Sequence, residues 1–469
     1  MTVGLSTVAR ETRANQLASF KAIAAGTLIA AVIWIGLSAS AVWLPRAPID
    51  RALVAAFDAG TLTADDSALG DARRGAAQFA DCIILGAAYF RTGTLLEDFA
   101  SPVRPVHTRE DDRDGEGACG TLRSALKGNN PFGDLGFERY HRYLFGQRGV
   151  AAGALQVMSL DSLRLSLSVA THGLAILMIL WGLLALVRER ARGMALVFGG
   201  TALLLFFELR YFGQSIAHAP GDSVGILLLL WILARNTSRE WEHDNTVLAV
   251  LALFGGLTAI FELMIGPLPI GVTAVLLGYA WDASRRSLDA GPAWRNAARG
   301  LGAFFAGFLA LFAIKLIVAI TVYGPGVLAD FSANLLSRAG FSAAEASSSR
   351  LVMTWDALTG LRGSITTLFF GNTLLAYLAV GLGALAALTA LARARRAEAV
   401  LFTLAMLAVP GWFIAFPDHT VRHGWFMARI CIWPLIVAGV FLIATLHATS
   451  KRSSGAGNSI PIRTAATST

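Results

Sequence analysis

The chain has 469 residues, of which 55% are hydrophobic and 15% are charged, and its formal net charge is +8. A soluble domain carries about 25% charged residues, so this composition excludes an ordinary soluble enzyme and a disordered chain. The basic residues lie in short clusters between long apolar runs, which is typical of a membrane protein, and we expect no nucleic-acid partner. Three cysteines are too few for a disulfide-rich scaffold.

Ten segments approach the length of about 20 mostly apolar residues that a membrane-spanning helix needs. They predict an all-α polytopic membrane protein with a long first extracytoplasmic loop. The third, fourth and sixth segments are short. The predicted spans are residues 20–44, 163–187, 194–210, 219–234, 246–265, 266–281, 300–323, 368–392, 399–416 and 425–447.

The distribution of arginine predicts the orientation of these spans. The loops after spans 2, 4, 6 and 8 are rich in arginine, whereas those after spans 3, 5 and 9 hold only Arg210 and Arg422. Basic short loops stay in the cytoplasm, so both termini are expected there. The resulting division begins with a cytoplasmic N-terminus at residues 1–19 and ends with a disordered cytoplasmic tail at residues 448–469. Between them lies a transmembrane domain at residues 20–447, which includes two long extracytoplasmic loops at residues 45–162 and 324–367.

Cys82 and Cys119 both fall in the first long extracytoplasmic segment. A disulfide can persist in that compartment, and two unpaired thiols are an equally open alternative. Cys431 lies within the tenth span and is expected to pack there.

Ionisable residues within or beside the spans gather near the outer ends. A charge inside a membrane is costly, so such residues are candidates for function. Glu262 stands near the outer end of span 5, where a carboxylate needs a partner. Arg210 and Lys315 are further candidates. Arg210 could instead neutralise lipid phosphates, and Lys315 could extend its amine towards the membrane surface.

The densest polar cluster lies between spans 9 and 10. If this segment is helical, His419 and His423 share one face, and Arg422 and Arg429 share another. Two histidines at this spacing could hold a divalent metal, but the glutamate of the usual zinc helix is absent. Arginine and histidine donors fit a phosphate or pyrophosphate better.

Two further groups lie in the first long segment. Residues 138–143 combine arginines, tyrosines and a histidine, which suits an aromatic belt at the membrane surface or a site that stacks a sugar ring and holds a phosphate. Tyr140, His141 and Arg142 are the candidates there. Asp81 is an isolated acid entering an apolar run and the best-placed general base, with Asp50 the alternative.

The chain resembles the GT-C superfamily of integral-membrane glycosyltransferases, and within it an uncharacterised group of bacterial polytopic membrane proteins. The resemblance lies in residues 81–85, 139–143 and 261–267, and in the stretch from Asp418 to Arg429. Relatives more often carry aspartate at the position of Glu262 and asparagine at that of Asp418.

The resemblance implies a polyprenyl-phosphate-linked sugar donor and a glycan or lipid acceptor, which meet among membrane lipids on the outer side of the bacterial inner membrane. It implies Asp81 as the acidic base, with Glu262 and Asp50 as the other catalytic candidates. No cofactor is assigned with certainty, and a divalent metal is an open possibility. The implied substrate-binding residues are Tyr140, His141, Arg142, Arg210, Lys315, His419, His423 and Arg429.

Two other functions fit a polytopic membrane protein. A transporter or flippase for lipid-linked glycans would place polar groups near the middle of the bilayer and often shows an internal repeat, and neither is visible in the sequence. A membrane acyltransferase would use a histidine base and turn its polar groups towards the cytoplasm. The outward gathering of polar residues favours the glycosyltransferase.

Overall fold

A computed structural model describes residues 2–65, 69, 72–91, 93–107, 117–128, 135–235, 244–264, 266–341 and 350–456. These residues form nineteen α-helices, one antiparallel strand pair and a 3₁₀ turn at Ala428–Cys431. In chain order the elements are α1 (Thr2–Trp43), α2 (Arg46–Asp58), α3 (Ala72–Tyr89), α4 (Leu95–Ala100), β1 (Val103–His107), α5 (Ala118–Leu126), β2 (Leu135–Arg139), α6 (Gly146–Ala154), α7 (Leu160–Leu186), α8 (Arg190–Phe206), α9 (Leu209–Phe212), α10 (Ala219–Arg235), α11 (Asn245–Phe261), α12 (Pro267–Arg286), α13 (Ala290–Tyr323), α14 (Gly326–Arg338), α15 (Arg350–Leu368), α16 (Thr373–Arg393), α17 (Arg396–Ala415), α18 (Pro417–Met427) and α19 (Ile432–Ala456).

Each of the ten predicted spans overlaps at least one helix, and the chain is an all-α membrane protein apart from the strand pair. Within the described residues, six helical segments are long and apolar enough to cross a membrane. The remaining predicted spans correspond to α8, α10, α11 and α12, which are 17 to 20 residues long and lie outside that set. The six segments are Ala14–Trp43, Leu160–Leu186, Ala290–Tyr323, Thr373–Arg393, Arg396–Ala415 and Ala428–His447.

The C-terminal end of the chain differs from the prediction. Helix α19 continues through Ala456, so residues 448–456 are helical rather than disordered. The rest of the predicted tail, residues 457–469, lies outside the described residues. At the other end, residues 2–19 belong to the same helix as the first predicted span.

Glycines allow the central helices to approach closely. A Cβ atom added at Gly255 of α11 would lie 1.9 Å from the carbonyl oxygen of Phe304 on α13. A Cβ atom added at Gly307 of α13 would lie 1.9 Å from the carbonyl oxygen of Ala252 on α11. Helix pairs in membranes gain their stability mainly from such close packing, because lipid tails are as apolar as the side chains that they would contact.

The elements from α2 to α6 form a cap over one end of the bundle, where α1, α11 and α13 finish. Strand β1 pairs with β2 in antiparallel register, with Arg104 opposite Glu138. A disulfide joins Cys82 on α3 to Cys119 on α5, which resolves the alternatives that the sequence leaves open.

Polar side chains attach this cap to the helix ends through backbone carbonyls. The Gln147 amide donates to the carbonyl of Phe261 at the end of α11, at 2.9 Å. The Tyr323 hydroxyl at the end of α13 donates to the carbonyl of Glu97, at 2.7 Å. The buried Lys315 amine of α13 donates to the carbonyl of Ala100. The cap is therefore held on the bundle at several separate points.

The disulfide gives a testable consequence for stability. It closes a loop with a sequence separation of 37, and by chain entropy it should stabilise the fold by about 4 kcal/mol. We expect the double variant C82S/C119S to unfold at a clearly lower temperature in detergent than the wild type.

Maleimide labelling of the denatured chain checks the pairing itself. Without reductant only Cys431 should react, and after reduction all three cysteines should react. Labelling of three cysteines in the unreduced protein would contradict the pairing.

Candidate functional site

A cavity of about 210 Å³ lies where the cap meets the bundle. Its apolar wall includes Phe79 and Ile83 of α3, Leu263, and Phe426 of α18. No aspartate or glutamate belongs to its described lining. We call it the histidine cavity, and its polar lining is Arg104, Tyr140, Tyr143, His218, Arg338, His419 and His423.

The strand pair positions the first arginine of the cavity. Arg104 on β1 forms an ion pair with its cross-strand neighbour Glu138, at 2.7 Å. Its guanidinium carbon lies 5.0 Å from the centroid of the Tyr140 ring, in cation–π contact. Tyr140 also stacks on Tyr143, with ring centroids 5.9 Å apart. The cap thus presents a fixed guanidinium beside an aromatic surface.

Helix α18 supplies two histidines. It starts at Pro417 and is kinked at His423, whose φ of −126° is not helical. The His419 ring nitrogen Nε2 donates to the carbonyl oxygen of Met264, at 2.9 Å. The rings of His419 and His423 are 4.7 Å apart, so the prediction that they share a face holds. Arg338, at the end of α14, completes this side of the cavity.

The kink and the 3₁₀ turn separate the two arginines that the sequence placed on one face. Arg422 is exposed and pairs with Asp418 at 2.8 Å. Arg429 is completely buried and pairs with Asp222 of α10, between the rings of Phe207 and Phe212. Arg429 does not line the histidine cavity.

Asp81 takes part in a buried network and does not itself line the histidine cavity. Its Oδ2 pairs with Arg164 of α7 at 2.9 Å, and its Oδ1 accepts from the Ser215 hydroxyl at 2.7 Å and from the Ala217 amide at 3.2 Å. Asp81, Arg164 and Ser215 line a second cavity of about 410 Å³. With every oxygen engaged, this carboxylate is poorly placed to accept a proton directly.

Glu262 and the other predicted acid, Asp50, have local partners. Glu262 is buried where α11 ends, and its Oε2 accepts from the amide of Leu268 in the first turn of α12, at 2.7 Å. It therefore caps that helix. Asp50 is half-buried and hydrogen-bonds with the Tyr89 side chain. Neither acid lines the histidine cavity.

The remaining predicted ligands do not line the cavity. His141 contacts Asp330 at 2.8 Å, and Arg142 pairs with Glu138 at 3.3 Å. Arg210 is exposed and lies over the ring of Tyr211, and Lys315 is one of the attachment points of the cap. Of the eight predicted binding residues, the cavity brings together Tyr140, His419 and His423.

Sequence reasoning did not select Arg104, Arg338 or His218. Each is a single charged or polar residue outside a dense cluster, and its partners come from distant segments. The only local signal is for His218, which immediately precedes the apolar run of α10.

The histidines of the cavity are neutral at neutral pH. Burial, reinforced by His423 and Arg338, lowers the pKa of His419 to about 3. Burial and Arg338 lower the pKa of His423 to about 4, and burial holds the pKa of His218 well below its usual range. The positive charge of the cavity therefore comes from Arg104 and Arg338. In the part of the chain that the structure describes, no three histidine, cysteine or acidic residues are grouped so as to hold a metal ion.

The buried ion pair tests whether Arg429 has a structural role. The variant R429M leaves the Asp222 carboxylate without its partner, which should destabilise the protein by about 3–5 kcal/mol. The double variant D222L/R429M removes both charges and should recover most of that loss, as measured by thermal unfolding in detergent. Full stability of the single variant would contradict this role.

The neutral histidines predict a loss of stability in acid. Their pKa values are lower in the folded than in the unfolded state, so the unfolded chain binds more protons as the pH falls. Stability should be complete above about pH 6.5 and should fall below it by up to about 1.4 kcal/mol per pH unit for each histidine. Melting curves of the wild type and the variant H419Q/H423Q should diverge below that pH, and parallel curves would refute the assignment.

Comparisons with known proteins do not place this chain in a family. No family model, curated protein or solved structure matches it. The function is therefore argued from the histidine cavity.

Proposed function

We propose that this protein is a membrane glycosyltransferase of the GT-C type. It transfers a sugar from a polyprenyl-phosphate-linked donor to a glycan or lipid acceptor of the cell envelope. The observation that carries the proposal is the histidine cavity, in which two arginines, three neutral histidines and an aromatic surface meet at one end of an apolar helix bundle.

The charges of the cavity suit a phosphate that becomes more negative during the reaction. Guanidinium groups bind phosphate through charge-assisted hydrogen bonds. When the bond between the sugar and the phosphate breaks, negative charge grows on the departing oxygen, and fixed cations stabilise it. Arg104 and Arg338 would supply this stabilisation; Glu138, which pairs with Arg104, lies outside the described lining.

The size and surroundings of the cavity suit the head of a lipid rather than a whole lipid. Drug-sized ligands occupy pockets of about 300–1,000 Å³. A cavity of about 210 Å³ accommodates a phosphate and part of a sugar, which leaves the polyprenyl chain outside. Helix α14 carries Arg338 and also exposes Leu335 and Leu336, so a lipid-contacting surface adjoins the phosphate-binding group.

The proposed topology has ten spans in a bacterial inner membrane, with both termini in the cytoplasm. Two observations support it: the alternation of arginine-rich loops, and the disulfide in the cap, since disulfides persist outside the cytoplasm. Helices α8, α10, α11 and α12 are largely buried among the longer helices, which suits inner spans of a bundle. This orientation places the histidine cavity on the side where lipid-linked sugars replace nucleotide donors.

The variants R104A and R338A test the phosphate-binding role. Each removes one guanidinium from the transition-state phosphate, and the transfer rate should fall by about 10²-fold. The assay uses membranes from a deletion strain that expresses each variant, supplied with undecaprenyl phosphate carrying radiolabelled glucose, mannose, galactose or arabinose. The matched control is R362A, because Arg362 is an exposed arginine that bonds the Tyr377 hydroxyl away from the cavity.

The outcomes separate the competing functions. Transfer by the wild type and by R362A, with loss in the two cavity variants, supports the glycosyltransferase. Wild-type transfer rates in R104A and R338A would refute the site. A deletion strain that accumulates a complete lipid-linked glycan on the inner leaflet would point to a flippase instead.

A further inference from the structure

Three buried residues form a hydrogen-bonded chain that ends at the histidine cavity. Ser215 lies between Asp81 and His218: its hydroxyl oxygen is 2.7 Å from Asp81 Oδ1 and 2.9 Å from His218 Nδ1. All three residues are at most 1% exposed. Asp81 belongs to α3 in the cap, whereas Ser215 and His218 precede α10, so the chain bridges two separate segments.

The hydrogens in this chain can be assigned from the chemistry of its members. Asp81 accepts from Arg164 and from the Ala217 amide, which are donors only, so the carboxylate is an acceptor. The Ser215 hydroxyl must then donate its one hydrogen to Asp81. Its oxygen is left to accept from His218, so His218 carries its hydrogen on Nδ1.

This tautomer leaves a lone pair on the other ring nitrogen of His218. Nε2 is buried and has no hydrogen-bond partner among the described residues. The ring lines the histidine cavity, with Phe212 and Phe426 at centroid distances of 4.9 Å and 5.4 Å. A buried acceptor without a partner is costly. A hydroxyl group of a bound ligand is the natural donor to it.

We infer that His218 is the general base of this site and that Asp81 and Ser215 position it. The inference rests on the proposed glycosyltransferase function and names the group that receives the proton. The acceptor hydroxyl gives its proton to His218 Nε2 while its oxygen forms a bond to the anomeric carbon of the sugar. The bond from that carbon to the phosphate oxygen breaks, and its electron pair leaves with the phosphate, which Arg104 and Arg338 bind.

The hydrogen-bonded chain suits this role in both protonation states. After His218 takes the proton, Nδ1–H still donates to Ser215, whose hydroxyl still donates to the Asp81 carboxylate. His419 is the other histidine with a defined tautomer: it donates from Nε2 to the Met264 carbonyl and keeps its lone pair on Nδ1. His419 thus bonds a backbone carbonyl, whereas His218 is linked through Ser215 to the Asp81 carboxylate. His218 is therefore the better base.

Nitrogen-15 NMR of histidine-labelled protein in lipid nanodiscs tests the tautomer without any substrate. The His218 signals, assigned with H218Q, should show hydrogen on Nδ1 and none on Nε2 at neutral pH. In S215A the Nδ1–H of His218 loses its acceptor, so the preference for this tautomer should weaken and an Nε2–H form should become detectable. A wild-type Nε2–H form, or an unchanged His218 spectrum in S215A, would overturn the inference.

Transfer kinetics test the base in the assay with undecaprenyl-phosphate sugars. H218Q should lower kcat by about 10²–10⁴-fold, which is the usual contribution of a general base, and should change KM little. S215A, which leaves the Asp81–Arg164 ion pair intact, should lower kcat by a smaller factor. The control is H172Q, because His172 lies within α7, bonds the Ser168 carbonyl at 2.8 Å and is outside the cavity.

The two proposals fail in different ways. If R338A loses transfer while H218Q keeps the wild-type kcat, the glycosyltransferase stands and His218 is not its base. If the wild type transfers none of the four sugars, the function and the base assignment both fall, whatever tautomer the NMR spectrum shows.

Discussion

A charge buried in this protein is stable only if it finds a partner, and among the described residues the Asp81 carboxylate finds three. It joins α3 of the cap to α7 through Arg164 and to the segment before α10 through Ser215 and Ala217. This acid therefore helps to hold the cap over the bundle, where the histidine cavity forms. Gln147, Lys315 and Tyr323 also attach the cap to the bundle, because each donates a hydrogen bond to a backbone carbonyl at a helix end.

The histidine cavity combines charged and neutral polar side chains. Arg104 and Arg338 are cations, while His218, His419 and His423 are kept neutral by burial. Neutral imidazoles can accept hydrogen bonds, and guanidinium groups cannot. The cavity can therefore contact a phosphate and a hydroxyl at once, which is what a phosphorylated sugar offers.

Sequence patterns located the bundle helices because a helix that contacts lipid or other apolar helices needs a long apolar run. The pair of His419 and His423 was also visible, since four residues along a helix bring two side chains together. The partners were not visible: Arg429 pairs with an aspartate 207 positions away, and Lys315 with a carbonyl 215 positions away. Arg104 and Arg338 were missed for the same reason, because only the folded cap and α14 bring them to α18.

The disulfide has a consequence for how the protein matures. Cys82 follows Asp81 directly on α3, and its bond to Cys119 ties that helix to α5. Until an oxidant joins the two thiols, α3 lacks this covalent tie to α5, so the constraint on the helix that carries Asp81 depends on the redox conditions in which the protein matures.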